Sequence, residues 1–233
     1  MTYLLLAWSG GKDAAWTLHT LRQRDDVQVV GLLTTVTGQY ERVAMHGIRR
    51  DVLHAQASAV GLPLVESVIP PHCDNAVYEA AFTDALGTAR SRWPGLRTVA
   101  FGDLYLADVR AWRQALCERH GWTIETPLFG RDTRALAGEM IDAGLETNLC
   151  CVDTDQLDAE FSGRAFDASL LADLPAACDP CGENGEFHTL VHAGPMFAAP
   201  LPVARGETVL RDGRFAYTDF VLQPDTTDSN GIL

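Results

Sequence analysis

The sequence predicts an α/β protein: a doubly wound, mostly parallel sheet followed by a smaller α+β domain. Three observations carry this. Apolar runs of strand length alternate with helical patterns through the first half of the chain, the arrangement that builds βαβ units with right-handed crossovers. The first two runs, 3–8 and 27–33, are almost continuously apolar, as befits strands covered by helices on both faces. After about residue 127 the pattern changes to shorter strands divided by turn residues.

Taken in order, strands are predicted at 3–8, 27–33, 64–68, 98–101 and 123–126, with helices at 12–24, 46–60, 74–92 and 104–120 between them. In the third helix, apolar residues around Tyr78, Phe82 and Leu86 recur at three- and four-residue spacing, which lays them along one face. Further on, Asp132 as N-cap and Gly144 as C-cap bracket a helix at 132–143, followed by strands at 145–152 and 187–192. Asp212-Gly213 sets a hairpin within 207–221, because a tight two-residue turn demands positive φ. The boundaries implied are a first domain at 1–128, a second at 129–222 and a disordered tail at 223–233.

With 47% hydrophobic and 21% charged residues the chain has the make-up of a globular protein. No apolar run approaches the roughly 20 residues of a membrane span. The N-terminus has neither the basic lead nor the small-residue cleavage site of a signal peptide, so cytoplasm is the expected location. Six irregularly spaced cysteines, in a chain large enough to build a core without staples, are expected as free thiols. Cys178 and Cys181 have the spacing of a metal or redox pair. Cys150 and Cys151 are adjacent, point to opposite faces of a strand, and are poor partners to complete a zinc site. A formal charge of −13 argues against general binding to nucleic acid. It also requires that any polyphosphate be held by focused local charge and main-chain N–H groups.

Ser9-Gly10-Gly11-Lys12-Asp13, between the first strand and the first helix, answers that requirement. Glycines let N–H groups converge, and the helix adds its unpaired donors and the positive end of its dipole. Lys12 is the only lysine among 18 Lys and Arg residues, a compact charge that arginine's flat fork does not imitate in a narrow loop. Asp13 is suited to hold magnesium or to cap the helix. The competing reading is an ordinary strand–helix turn holding two glycines. Gly102-Asp103 follows the strand 98–101, at the carboxyl end where open α/β sheets bind ligands. Asp103 is either a ligand for metal or substrate or a helix N-cap. His46 and Arg49 share a face at the start of the predicted second helix, reaching either a ligand or solvent. Finally, Gly182-Glu183-Asn184-Gly185-Glu186-Phe187-His188-Thr189 concentrates carboxylates, an imidazole and a hydroxyl between glycines, and on a strand Glu186 and His188 share a face.

The run at 9–13 resembles the S-G-G-x-D-S pyrophosphate-binding loop of the N-type ATP pyrophosphatases, with Ala14 in place of the final serine. The run at 182–189 resembles the G-E-x-G-E-[FY]-H-T signature of the diphthine–ammonia ligase family, which carries the same loop. Met45-His46-Gly47-Ile48-Arg49, Gly102-Asp103-Leu104-Tyr105 with Arg110, Glu139-Met140-Ile141-Asp142-Ala143-Gly144 and Gly194-Pro195-Met196-Phe197 continue the match in order, so that it covers about residues 3–200.

The resemblance implies a Rossmann-like first domain of the adenine nucleotide alpha hydrolase type, with ATP and Mg2+ as cofactors. It implies a ligase that adenylates a carboxylate, releases pyrophosphate and admits ammonia to form an amide. Ser9, Gly10, Gly11, Lys12 and Asp13 would then hold the pyrophosphate end of ATP, with Asp13 toward the metal and His46, Arg49 and Gly102 toward the nucleotide. Lys12, Asp103, Glu183, Glu186 and His188 are the catalytic candidates; Arg110, Glu183, Glu186, His188 and Thr189 line the acceptor side. The implied partners are ammonia and a small-molecule or protein-borne carboxylate, and a homo-oligomer is left open. Two other readings share the loop: an RNA-thiolating enzyme, which the acidic charge opposes, and a nucleotide-binding module without turnover, which Ala14 favours.

Overall fold

The computed structural model describes residues 1–224; nearly all of the tail expected at 223–233 lies outside them. The first half alternates as the sequence predicts: β1 (Thr2–Ala7), α1 (Lys12–Arg22), β2 (Val27–Thr37), β3 (Arg42–Val43), α2 (Arg50–Ala59), β4 (Leu64–Ile69), α3 (Asn75–Arg92), β5 (Thr98–Ala100), α4 (Ala107–Arg119) and β6 (Thr123–Glu125). β1 lies between β2 and β5, β4 flanks β2 and β6 flanks β5, all parallel. The short β3 runs antiparallel to the end of β2. Strand order therefore reverses at β1, and the crevice beyond the carboxyl ends of β1 and β5 is the ligand-binding position of such sheets.

Alternation along β1 explains the layering. Leu4 and Leu6 pack with Trp16, Leu18 and Leu21 of α1 and Val52 and Leu53 of α2. Leu5, on the opposite face, packs with Phe82 and Leu86 of α3 and Leu116 of α4. β1 thus feeds two apolar layers, which is why its buried centre carries no polar face.

The remainder holds α5 (Thr133–Asp142), β7 (Glu146–Asp153), α6 (Ala168–Asp173), β8 (Phe187–Ala193), β9 (Val203–Arg211) and β10 (Phe215–Leu222). Its strands form an antiparallel sheet in the order β8-β7-β10-β9. Asp212 (φ 52°) and Gly213 (φ 65°) make the predicted hairpin turn, and the Asp132 carboxylate caps α5 by accepting from the Ala135 N–H. The apolar layer on the α1 side does not stop at this sheet: Leu149, Val152, Phe187 and Val191 join Leu4, Leu6 and Trp16 in one cluster.

Some boundaries move for local reasons. The helix expected at 46–60 starts only at Arg50, because Met45 (φ 66°) and Gly47 (φ 70°) adopt left-handed conformations that form a turn. His46 and Arg49 are therefore not neighbours on a helix face. The helix expected from 104 begins at Ala107 with Leu106 as N-cap, so Asp103 is not a helix cap. β3 and α6, of two and six residues, are too short to show a period in the sequence.

Candidate active site

The carboxyl ends of β1, β2 and β5, the first turn of α1 and the start of β8 enclose a cavity of about 480 Å³, within the range of small-molecule sites. To pass from β1 into α1 the chain turns sharply at Gly10, whose φ of +81° suits glycine. Gly11 allows close approach by β8: a Cβ there would lie 3.0 Å from the Thr189 carbonyl oxygen and 3.1 Å from His46 Nε2. The Lys12 N–H donates to Thr189 Oγ1 (3.0 Å) and the Val191 N–H to the Gly10 carbonyl (2.9 Å). Gln56, fully buried on α2, donates from Nε2 to the carbonyls of Gly10 (2.9 Å) and Val191 (2.6 Å) and accepts from the Trp8 indole (3.2 Å). Among the described residues, the main-chain N–H groups of Ser9, Gly10, Asp13 and Ala14 have no protein partner. Unpaired donors at a helix N-terminus form an anion cradle. Ala14, where the resembling loop has serine, still presents its N–H there.

Beneath the cradle lies Lys12, 2% exposed. Its ammonium donates to both Asp13 oxygens (3.0 and 2.8 Å) and to the Cys181 carbonyl, and lies 5.6 Å from the ring centroids of Phe166 and Phe187. Burial pulls its pKa down, but the surrounding acidic groups, Asp13 foremost, together outweigh this and hold it above the ordinary value, while burial pushes the Asp13 carboxyl up in turn. His46, delivered by the turn at 44–47, stacks on His188 of β8 with ring centroids 4.5 Å apart. Burial, with the nearby Lys12 charge, lowers the His188 pKa to about 4 and that of His46 well below its usual range. Both rings are neutral at neutral pH.

Glu183 lines the cavity, and its Oε1 accepts from the N–H groups of Leu104 (3.0 Å) and Tyr105 (3.4 Å). Burial pushes its pKa up. Asp103 also lines the cavity; one oxygen pairs with Arg113, and the other is buried with no partner. Thus Ser9, Lys12, Asp13, His46, Gly102, Asp103, Glu183, His188 and Thr189 share one wall system, with Gly10 and Gly11 shaping the turn.

Three predicted residues are placed elsewhere. Glu186, 2% exposed, accepts from the Asp179 N–H (2.8 Å), the Asn184 N–H (2.9 Å) and Asn184 Nδ2 (3.0 Å). It folds into its own loop because β8 begins only at Phe187, so strand alternation does not extend back to pair it with His188. Arg49 stands at the N-cap position of α2 without a side-chain capping bond and, with Arg42, donates to Asp219 of β10 at 3.0 and 2.9 Å. Arg42 and Asp219 line a second cavity of about 580 Å³, which shares Val43, Ala44 and Met45 with the first. Arg110 binds Thr126 Oγ1 (3.0 Å) and lies over Phe129; Arg113, one turn along α4, is the arginine that faces the cavity. Burial pushes the Cys178 and Cys181 thiols up to about 12, and among the described residues no group of three His, Cys, Asp or Glu side chains is arranged to hold a metal. Both side chains are buried, Cys178 Sγ beside the Asp179 carbonyl and Cys181 Sγ beside the Thr133 carbonyl.

Gln56 and Arg113 were missed by sequence reasoning. An isolated glutamine in a helical pattern carries no signal, and only the helix register separates Arg113 from Arg110.

The model of the diphthamide synthase N-terminal domain matches residues 3–124, and that of the diphthamide synthase C-terminal domain matches residues 132–217. A diphthine–ammonia ligase of Schizosaccharomyces pombe is 25% identical over 217 residues, covering 86% of this chain and 36% of its own length. One of Saccharomyces cerevisiae is 23% identical over 228 residues, covering 81% and 32%. The chain spans about a third of the length of these curated relatives. The two matched segments divide between β6 and α5, and each supplies one of the motifs that meet at Lys12 and Thr189. The chain belongs to the diphthamide synthase family.

Proposed function

We propose that the 480 Å³ cavity binds ATP and that the chain adenylates a carboxylate, which ammonia then converts to an amide, as a diphthine–ammonia ligase-like enzyme. The observation that supports this most is the convergence of the anion cradle at 9–14 with the 182–189 motif on one cavity, joined by the Lys12–Thr189 hydrogen bond. The donor set fits a nucleotide: unpaired N–H groups face the phosphates, while Ala7, Leu33, Phe82 and Phe101 offer an apolar wall to the base. Magnesium fits by its chemistry, since it binds through one or two carboxylates together with substrate phosphates, and Asp13 stands beside the cradle. Bound there, ATP supplies the leaving pyrophosphate and the metal neutralises its charge.

The protein's part is positioning and electrostatics. Ser9, Gly10 and Gly11 aim main-chain donors, and Lys12 is a fixed positive charge below them, held by Asp13 and the Cys181 carbonyl. His188 is too weak a base to accept a proton from ammonium at neutral pH. Glu183, with its pKa raised by burial, is the group suited to that step. Glu186 acts on the loop that carries Glu183 and Cys181. In this reading residues 1–128 bind ATP, 129–222 serve the acceptor, and the reaction belongs to the cytoplasm; among the described residues no helix is long and apolar enough to cross a membrane. The acceptor is a carboxylate, protein-borne or small.

The test incubates the chain with ATP, Mg2+, ammonium and a panel of carboxylates that includes diphthine-bearing protein. Acceptor-dependent AMP and pyrophosphate are expected. Formation of ADP, or no turnover with any acceptor, overturns the reading.

A further inference from the structure

We infer that Asp103 reads the ribose of the bound nucleotide and makes the cavity selective for ribonucleotides over deoxyribonucleotides. The inference rests on the ATP reading above. Asp103 is 8% exposed and lines the cavity just past the end of β5. Arg113 occupies one of its oxygens, and the guanidinium is itself fixed 4.8 Å from the Phe101 ring centroid. Oδ2 is buried and has no partner among the described residues. A buried carboxylate oxygen without a donor is costly, and because Asp103 lines the cavity, a turn of its side chain brings that oxygen to a donor bound there.

Connectivity decides which part of the ligand brings it. Gly102, the preceding residue, packs so closely on α1 that a Cβ there would lie 2.9 Å from the Asp13 carbonyl. Asp103 thus stands one residue from the phosphate cradle. Phosphate oxygens have no hydrogen to donate and repel a carboxylate. Leu33, Phe82 and Phe101 offer the base an apolar wall, and its exocyclic amine, the ligand's other donor, is retained in both 2′-deoxy-ATP and 3′-deoxy-ATP. Between base and phosphate lies the sugar, whose two adjacent hydroxyls are donors that an ionised carboxylate accepts well. Arg113 fixes the carboxylate's orientation and offsets its charge beside the phosphates.

The experiment titrates the full chain with ATP, 2′-deoxy-ATP and 3′-deoxy-ATP in the presence of Mg2+, by calorimetry. The wild-type chain is expected to bind ATP roughly tenfold or more tightly than at least one deoxy analogue, the worth of a hydrogen bond to a charged group. Asp103→Asn should reduce that preference to within about threefold. Arg113→Gln, which leaves the carboxylate in place but unfastened, should reduce it less. Equal affinity of the wild-type chain for all three nucleotides overturns the inference without needing any variant. So does an Asp103→Asn protein that weakens all three alike, the signature of a metal-holding or purely structural role. Wild-type protein that binds no nucleotide overturns the ATP reading itself, and this inference with it.

Discussion

The main-chain N–H of Lys12 donates to the side-chain hydroxyl of Thr189 at 3.0 Å, across 177 positions of sequence. Thr189 is 2% exposed, so this N–H has no solvent to fall back on. The first turn of α1 is therefore completed by a strand of the other sheet.

Thr189→Val removes the acceptor and keeps the shape. A buried donor left unpaired costs about 1–3 kcal/mol, and because this bond ties the turn that carries the cradle to β8, ATP affinity should fall roughly 5- to 150-fold if that cost appears in the ordering of the cradle. Thr189→Ser should stay near wild type. Calorimetric titration with ATP measures both; unchanged affinity of the valine variant would show that the cradle forms without β8.

Lys12→Arg keeps the charge but adds bulk between Phe166 and Phe187. Overpacking of this kind costs about 1–3 kcal/mol, and the flat fork cannot serve Asp13 and the Cys181 carbonyl from the same point. Both the urea midpoint and ATP affinity should drop. An arginine variant with wild-type ATP affinity would mean that a point charge is not needed here.

Glu186→Gln separates a loop brace from a substrate contact. The carboxylate accepts from three donors; an amide offers one oxygen and turns its NH2 toward another donor. A loss of about 1–3 kcal/mol is expected, seen as a melting temperature lower by about 2–4 °C per kcal/mol. Lost turnover at an unchanged melting temperature would instead place Glu186 against the substrate.

Acid should weaken the fold through the stacked imidazoles. Folded His188 titrates at about 4, whereas an unfolded histidine titrates near 6.5. Between those values the unfolded chain binds more protons, so stability rises with pH through this window and is lost as pH falls. His46, also lowered, acts in the same direction. Urea midpoints should decline more steeply from pH 7 to pH 5 in the wild-type chain than in His188→Gln; equal slopes would mean that His188 is not held neutral.

What the sequence made legible follows from the range of the forces involved. β1, α1 and the glycine turn between them are local, and apolar continuity plus Gly10-Gly11 were enough to find them. The hairpin at Asp212-Gly213 was equally local. The order β8-β7-β10-β9 was not, since strand neighbours in space need not be neighbours in sequence. The same division runs through the site. Lys12, Asp13 and His188 announced themselves by residue type and motif. Arg49 carried the right chemistry but was claimed by Asp219, a partner 170 positions away. Gln56, whose amide bridges Gly10 and Val191, was silent because its role exists only once β8 has docked.

That docking has a consequence for biosynthesis. The glycine turn leaves the ribosome well before β8, yet its ties run to Cys181, Thr189 and Val191. At about 5–20 residues per second, the nascent segment spends roughly 10–35 s without the strand that closes it. During that interval the carbonyl of Gly10 and the ammonium of Lys12 lack their final partners. The glycine-turn wall of the cavity is synthesised before β8 and completed by it, so a truncated chain ending before β8 carries the whole glycine-turn motif and not the finished pocket.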